Sequence, residues 1–151
     1  MIKLLTLFLI LSSFSNCVSE SKLISRHFKN GNVVKVRLNE SQTMDLIKNL
    51  KLLIEGIDDQ ARLVVDKDRI KEIKKSDEIY EFVLIPSHKF SSKRFKNYLI
   101  KNIIIPITGD LSSTENKNSV IILAGDNEYD SSPYINSNGS NLLKQIIKIV
   151  K

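Results

Sequence analysis

Two long apolar runs in the second half of the chain most constrain its fold. They cover residues 99–107 and 119–124 of the 151-residue sequence. Neither run alternates apolar with polar side chains, as a strand with one solvated face does. Strands covered on both faces instead have nearly continuous apolar sequence. The two runs therefore predict central strands of a β-sheet, covered on both faces.

Amphipathic sequence predicts three helices around this sheet. The first follows Asn39 or Ser41, either of which can cap its first turn, and it ends at Gly56. A short second helix begins after Asp66, and a terminal helix follows Ser140 as its N-cap. Apolar side chains recur in each at the spacing of one helical face. Each helix is therefore expected to pack one face on the sheet.

Three further strands complete the prediction. Residues 32–38 alternate apolar and polar side chains, residues 61–65 form a short apolar run, and residues 79–85 are rich in β-branched and aromatic side chains up to Pro86. The predicted order is β-α-β-α-β-β-β-α. It indicates a single α+β domain, with a mixed sheet of about five strands and about three helices packed mainly on one side.

Glu81 is the one charged residue within residues 79–85. It shares a strand face with Ile79 and Val83. Its carboxylate either faces solvent on an outer face of the sheet or is buried and paired with a basic side chain. We expect the outer face, because burial of an unpaired charge is costly.

The first seventeen residues have the three-part layout of an export signal. A basic start (residues 1–3) precedes an apolar run (residues 4–11) and a small polar stretch (residues 12–16) that leads to Cys17. A membrane-spanning helix needs about 20 apolar residues, and this run is much shorter. The segment therefore targets the chain for export but is too short to span a membrane.

The end of this segment, Phe14-Ser15-Asn16-Cys17, resembles the lipobox of bacterial lipoproteins. The resemblance is confined to the signal, and it implies that Cys17 is acylated and becomes the mature N-terminus. It also implies a lipid-anchored protein of the bacterial cell envelope, on the inner or the outer membrane. One alternative is a plain secretory signal cut after Ser15 or Ser19, which would give a secreted or periplasmic protein, and another is an uncleaved anchor.

The signal also divides the chain. Residues 1–17 are the lipoprotein signal, residues 18–30 have no sustained apolar period and are expected to be a flexible tether, and residues 31–151 form the domain. Because Cys17 is the only cysteine, the domain contains no intramolecular disulfide.

Few catalytic parts remain in the exported chain. The only histidines are His27 and His88, and no nucleophile-elbow, phosphate-loop or dinucleotide-binding motif is present. A small hydrolase that combines His88 with a serine and an acid is an alternative, since such triads assemble in space. We expect a noncatalytic protein without cofactor or metal.

Residues 87–101 form the one concentrated basic segment, and they contain no acidic residue. In an exported protein such a segment suits anionic lipid headgroups or acidic glycans rather than nucleic acid. The alternative is a solvated loop before a core strand. The candidate anion-binding residues are Lys89, Lys93, Arg94, Lys96 and Lys101, interleaved with the aromatic residues Phe90, Phe95 and Tyr98.

Residues 125–139 form a polar loop in which Asp126, Glu128 and Asp130 alternate as carboxylates of a calcium loop do. The pattern then fails, because serine stands at positions 131 and 137, where that motif needs glycine and glutamate. We therefore expect an ordered surface loop, and these three acids are kept as a candidate loop site.

The formal net charge of +6 mildly favours acidic partners. Together these patterns predict a lipid-anchored, noncatalytic binding or scaffolding module. Its expected partners are the membrane, through the lipid on Cys17, and an acidic envelope component or another protein, but no nucleic acid. An exported domain that binds anionic lipid or acidic glycan through residues 87–101 is the alternative.

Overall fold

The computed structural model describes residues 22–112 and 116–151, so the predicted signal and the lipobox-like residues 14–17 lie outside the described residues. The strands are β1 (Lys22–Lys29), β2 (Asn32–Val36), β3 (Asp59–Gln60), β4 (Ile79–Phe90), β5 (Tyr98–Pro106), β6 (Val120–Gly125) and β7 (Tyr134–Asn136). The helices are α1 (Glu40–Glu55), α2 (Lys67–Ser76) and α3 (Ser140–Val150).

The strands form one sheet in the order β2-β1-β4-β5-β6-β7-β3, and each neighbouring pair is antiparallel. The α+β class predicted from the sequence is confirmed. The sheet has more strands than predicted, and it is antiparallel rather than mixed. The two apolar runs became β5 and β6 inside the sheet, and every residue of β6 is buried.

Helices cover both faces of this sheet. α1 and α3 pack on one face, where Leu50 and Ile146 join Phe82 in the larger core. α2 packs on the other face, where Ile73 joins Ile104 in a smaller core. Burial of each such side chain contributes about 1.5–3 kcal/mol. Two of the three described helices thus share one face, in agreement with the predicted packing mainly on one side. α2 covers the other face, because β5 and β6 are apolar on both faces and need cover on both.

β1 corrects the prediction of a flexible tether over residues 18–30. Lys22–Lys29 pairs with β2 on one side and β4 on the other, so it is an interior strand. Polar side chains are accommodated in this interior strand because they have partners on or beside β4. Arg26 bonds Glu81 at 2.8 Å and His27 bonds Glu78 at 3.0 Å. An interior strand of this kind therefore needs no apolar period.

A two-residue turn joins β1 to β2. Asn30 and Gly31 have φ values of 50° and 76°. A type I′ hairpin turn requires positive φ at both central residues, and Asn-Gly is its preferred sequence. This turn sets the register in which Lys29 lies opposite Asn32.

Two other strand predictions need correction. Residues 61–65 are not a strand, because only their ends are held: the Ala61 amide bonds the Pro133 carbonyl and the Val65 amide bonds the Ser131 carbonyl. The short pairing with β7 lies just before them, in β3. β4 does not end at Pro86 but continues to Phe90, because a bulge between Val83 and His88 accommodates the proline.

The helix starts agree with the sequence in two of three cases. Asn39 caps α1 in a capping box with Gln42, with distances of 2.8 and 3.0 Å. Asp66 caps α2 by accepting a hydrogen bond from the Arg69 amide. For α3 the capping position is Gly139, not Ser140, and no side chain caps it.

No helix in the described residues is long and apolar enough to cross a lipid bilayer.

Candidate functional site

The basic segment forms one end of the β4–β5 hairpin. We call residues 87–101 the basic hairpin end: the last residues of β4, the connecting loop and the first residues of β5. Lys89 lies opposite Leu99 across the hairpin. Four of the five candidate cations are exposed and Lys101 is half-buried. None of the five lies within ion-pair distance of a described carboxylate.

The aromatic residues of the basic hairpin end face the domain rather than solvent. Phe90 is buried in the larger core. The Phe95 ring packs 5.4 Å from both the Tyr98 and the Tyr134 rings. These rings hold the hairpin end against the sheet and are not free to stack on a ligand.

Asp130 fixes this aromatic cluster from the neighbouring loop. The Tyr98 and Tyr134 hydroxyls donate hydrogen bonds to its carboxylate at 2.7 and 2.6 Å. Burial and this hydrogen bond raise the pKa of Tyr98 to about 12. Both phenols therefore remain neutral donors at physiological pH, and the basic hairpin end is attached to the 125–139 loop.

The other two acids of the loop have separate partners. Asp126 accepts a hydrogen bond from the Ser87 hydroxyl at 2.6 Å, which adds a second attachment of the basic hairpin end. Glu128 pairs with Lys67 at 2.6 Å, on the side of α2. In the part of the chain that the structure describes, no group of three acidic, histidine or cysteine side chains is placed to hold a metal ion. The structure thus brings the two candidate segments together, with Asp126 and Asp130 supporting the basic one.

Glu81 is buried, with 5% of its surface exposed, so the predicted solvent-facing position is wrong. One carboxylate oxygen accepts hydrogen bonds from Lys74 at 2.5 Å and from the Tyr129 hydroxyl at 2.8 Å, and the other accepts one from Arg26 at 2.8 Å. Burial alone would raise the pKa of Glu81, but the hydrogen bonds from Lys74, Arg26 and Tyr129 outweigh it and lower that pKa. The second placement considered from the sequence, a buried pair, is the one observed.

This buried cluster borders a cleft of about 550 Å³ between α2 and the 125–139 loop. Glu81 and Tyr129 line it together with Asn102 and Ile70. The sequence does not indicate these partners of Glu81, because helical spacing predicts Lys74 on the outward face of α2 and Arg26 lies in the segment interpreted as a tether. In the structure Lys74 instead reaches Glu81. With both oxygens of Glu81 occupied, its carboxylate joins α2 and β1 to β4.

The two histidines lie in different settings. His27 stacks on Tyr80, with ring centroids 4.5 Å apart, and bonds Glu78, which also pairs with Lys29. His88 stacks on Phe90, and no described serine or carboxylate is hydrogen-bonded to it. The arrangement that a hydrolase would need around His88 is therefore not assembled among the described residues.

Comparison with known proteins adds no relative: no family model matches the chain, and no curated protein or solved structure matches it significantly.

Proposed function

We propose that this chain is a lipid-anchored protein of the bacterial cell envelope, attached through Cys17, whose noncatalytic domain binds an anionic lipid surface with the basic hairpin end. The signal and its lipobox support the anchor. The observation that carries the binding role is the set of cations at one end of one hairpin, without a carboxylate partner in the described chain. A basic side chain close to an anionic membrane contributes about 1 kcal/mol.

The position of β1 also supports a domain whose basic hairpin end faces the membrane. Lys22, at the start of β1, lies opposite Ile85, two residues before the basic hairpin end. Five Cα–Cα steps separate Cys17 from Lys22, and they can span at most about 18 Å. A lipid on Cys17 would therefore hold this end of the sheet close to the membrane. The basic hairpin end would then lie within reach of the headgroups.

Two exposed apolar side chains lie in or just before the basic hairpin end. Ile85 is 38% exposed and Leu99 is 40% exposed, and Leu99 lies opposite Lys89. Basic side chains combined with apolar ones suit the boundary between headgroups and acyl chains. This combination favours a lipid surface over a purely polar acidic glycan.

The binding role is tested with vesicles of phosphatidylcholine, with and without phosphatidylglycerol. We use residues 18–151, which contain every described element but not Cys17. The Lys93→Gln, Arg94→Gln, Lys96→Gln triple variant should bind anionic vesicles at least about tenfold more weakly, because it removes three cations from the contact. Binding should also weaken as salt is added.

The matched control removes the same charge elsewhere on the surface. Lys48, Lys117 and Lys144 are exposed, and their triple replacement by glutamine should change binding by no more than about twofold. Equal losses in both triple variants would mean that net charge alone drives binding and would contradict the proposal. Binding to an acidic polysaccharide but not to anionic vesicles would assign the surface to a glycan.

The anchor is tested by mass spectrometry of the N-terminal peptide of the protein purified from membranes. We expect a peptide that begins at Cys17 and carries acyl groups. An unmodified peptide that begins at Asn16, Val18 or Glu20 would contradict lipid anchoring and support a plain secretory signal.

A further inference from the structure

The two edges of the sheet differ in what they offer a partner. β3 has two residues, and the chain after it bonds back to the loop before β7, where the Val65 amide meets the Ser131 carbonyl at 2.6 Å. β2 has five residues and pairs with β1 alone. No backbone hydrogen bond joins β2 to any other segment of the described chain. β2 is therefore the open edge of the sheet.

The register of the hairpin identifies the backbone groups on this edge. A two-residue turn is closed by a hydrogen-bonded pair, here Lys29 and Asn32, and hydrogen-bonded pairs then alternate along an antiparallel ladder. The amide and carbonyl groups of Asn32, Val34 and Val36 thus face β1. Those of Val33 and Lys35 point away from the sheet, where a further strand could pair with them.

The two sides of the edge have different chemistry. On the side of α2, Val33 is 56% exposed and precedes Lys35 and Arg37, which are also exposed. On the side of α1 and α3, Val34 is 62% exposed. It lines a cleft of about 610 Å³ together with Tyr80 and Ile149. Charged side chains also line this cleft, namely Lys29, Lys35, Arg37, Glu78 and Lys151. An added strand would therefore place alternate side chains over a basic surface and into a cleft with a mixed apolar and charged lining.

The charge along this edge is positive. Residues 22–39 contain no acidic residue. Arg26 and Lys29 are paired with Glu81 and Glu78. Lys35 and Arg37 have no ion-pair partner among the described residues. Oppositely charged side chains across neighbouring strands are favourable and like charges are unfavourable.

We propose that β2 binds an extended acidic segment of a partner protein by strand addition. The partner's backbone pairs with the outward groups of Val33 and Lys35. Its acidic side chains face Lys35 and Arg37, and the apolar side chains between them enter the cleft. Backbone pairing supplies affinity in this mode, and the alternate side chains supply specificity. Self-association through two β2 edges is disfavoured, because residues 22–39 contain no acidic residue that could face the cations of the other copy. The site lies on a different hairpin from the basic hairpin end and does not depend on the membrane role.

The test uses the full chain purified in detergent and two fluorescent synthetic peptides of about nine residues, long enough to span β2. One peptide alternates valine with glutamate, and the other alternates valine with lysine. We expect the glutamate peptide to bind and the lysine peptide to bind at least about tenfold more weakly. Fluorescence polarisation measures both affinities.

Two variants separate backbone pairing from charge. Val33→Pro removes one outward amide at a position where an edge strand tolerates proline. It should lower the affinity for the glutamate peptide about fivefold. Val33→Thr keeps the amide and should leave that affinity unchanged. The double variant K35E/R37E should reverse the preference between the two peptides. Its control, K144E/K148E on α3, should keep the original preference.

Four outcomes would overturn the proposal: no binding of the glutamate peptide up to about 1 mM, equal binding of the two peptides, unchanged preference in K35E/R37E, or a concentration-dependent dimer that Val33→Pro abolishes. The last outcome would assign the edge to a second copy of the chain. Circular dichroism and urea unfolding of each variant establish that it is folded, and the surface variant K35E/R37E tests the site even if Val33→Pro unfolds.

Discussion

Glu81→Ala is expected to lower the free energy of unfolding by about 3 kcal/mol, at the lower end of the range for removing one partner of a buried ion pair. The substitution leaves Arg26 and Lys74 without their shared carboxylate and the Tyr129 hydroxyl without its acceptor. The Arg26 and Lys74 side chains are 40% and 26% exposed, so they regain some hydration and limit the loss. Urea unfolding followed by circular dichroism measures the change.

A matched control is Glu72→Ala, which removes an exposed glutamate that pairs with Arg69 on α2. Because exposed ion pairs contribute little, this variant should lose no more than about 0.5 kcal/mol. A loss in Glu81→Ala no greater than in this control would contradict a stabilising role for the buried cluster.

The pH dependence gives an independent check on Glu81. Its pKa is lower in the folded protein than in the unfolded chain. The stability it contributes is therefore fully present above the pKa of an unfolded glutamate, about 4.3. It is lost as the pH falls through the folded pKa, because the unfolded chain then takes up the proton more readily. The difference between the wild-type chain and Glu81→Ala should accordingly shrink as the pH is lowered below about 4.3.

Gly125→Ala is expected to cost about 3 kcal/mol, the upper part of the usual range for overpacking. Gly125 is the buried last residue of β6, and a Cβ atom there would lie 1.8 Å from the Glu128 backbone carbonyl oxygen. Because the clash is with backbone rather than a flexible side chain, the segment from Asp126 to Asp130 must move. That movement disturbs the acceptors of Ser87 and Tyr98, which hold the basic hairpin end.

Gly31→Ala is the matched control for this prediction. A Cβ at Gly31 comes no closer than 3.5 Å to its neighbour, so the cost is limited to the positive φ of 76°. We expect about 1 kcal/mol there. Hydrogen exchange of residues 87–101 should increase in Gly125→Ala and not in Gly31→Ala. A Gly125→Ala variant as stable as Gly31→Ala, with unchanged exchange, would show that the loop accommodates a side chain.

The sequence predicts elements whose signals are local. β5 and β6 are continuous apolar runs, and the caps Asn39 and Asp66 act within one helical turn, so all four are evident without the fold. β1 has no such signal, because Arg26 and His27 are accommodated only by glutamates that lie far along the chain. β7 is hidden because it spans only Tyr134–Asn136 within a polar loop.

The candidate site likewise has features that the sequence predicts and features that depend on the fold. Composition alone identifies the cations of the basic hairpin end, since they are close together in sequence. The inward direction of Phe95 and Tyr98 depends on Tyr134 and Asp130, which only the folded sheet brings beside them. The charge of Lys35 and Arg37 is visible in the sequence, but their place on an open edge follows from the position of β1 inside the sheet.

The interior position of β1 has a mechanical consequence for a chain anchored at Cys17. Tension at the anchor enters the domain at Lys22 and runs along a strand that is bonded on both sides, to β2 and to β4. Inter-strand hydrogen bonds lie perpendicular to the strands, so a pull along β1 loads both ladders in shear, many bonds at once. An edge strand peeled from one end would give way bond by bond. In a chain anchored there, force on the anchor would thus be carried by an interior strand that is bonded on both sides.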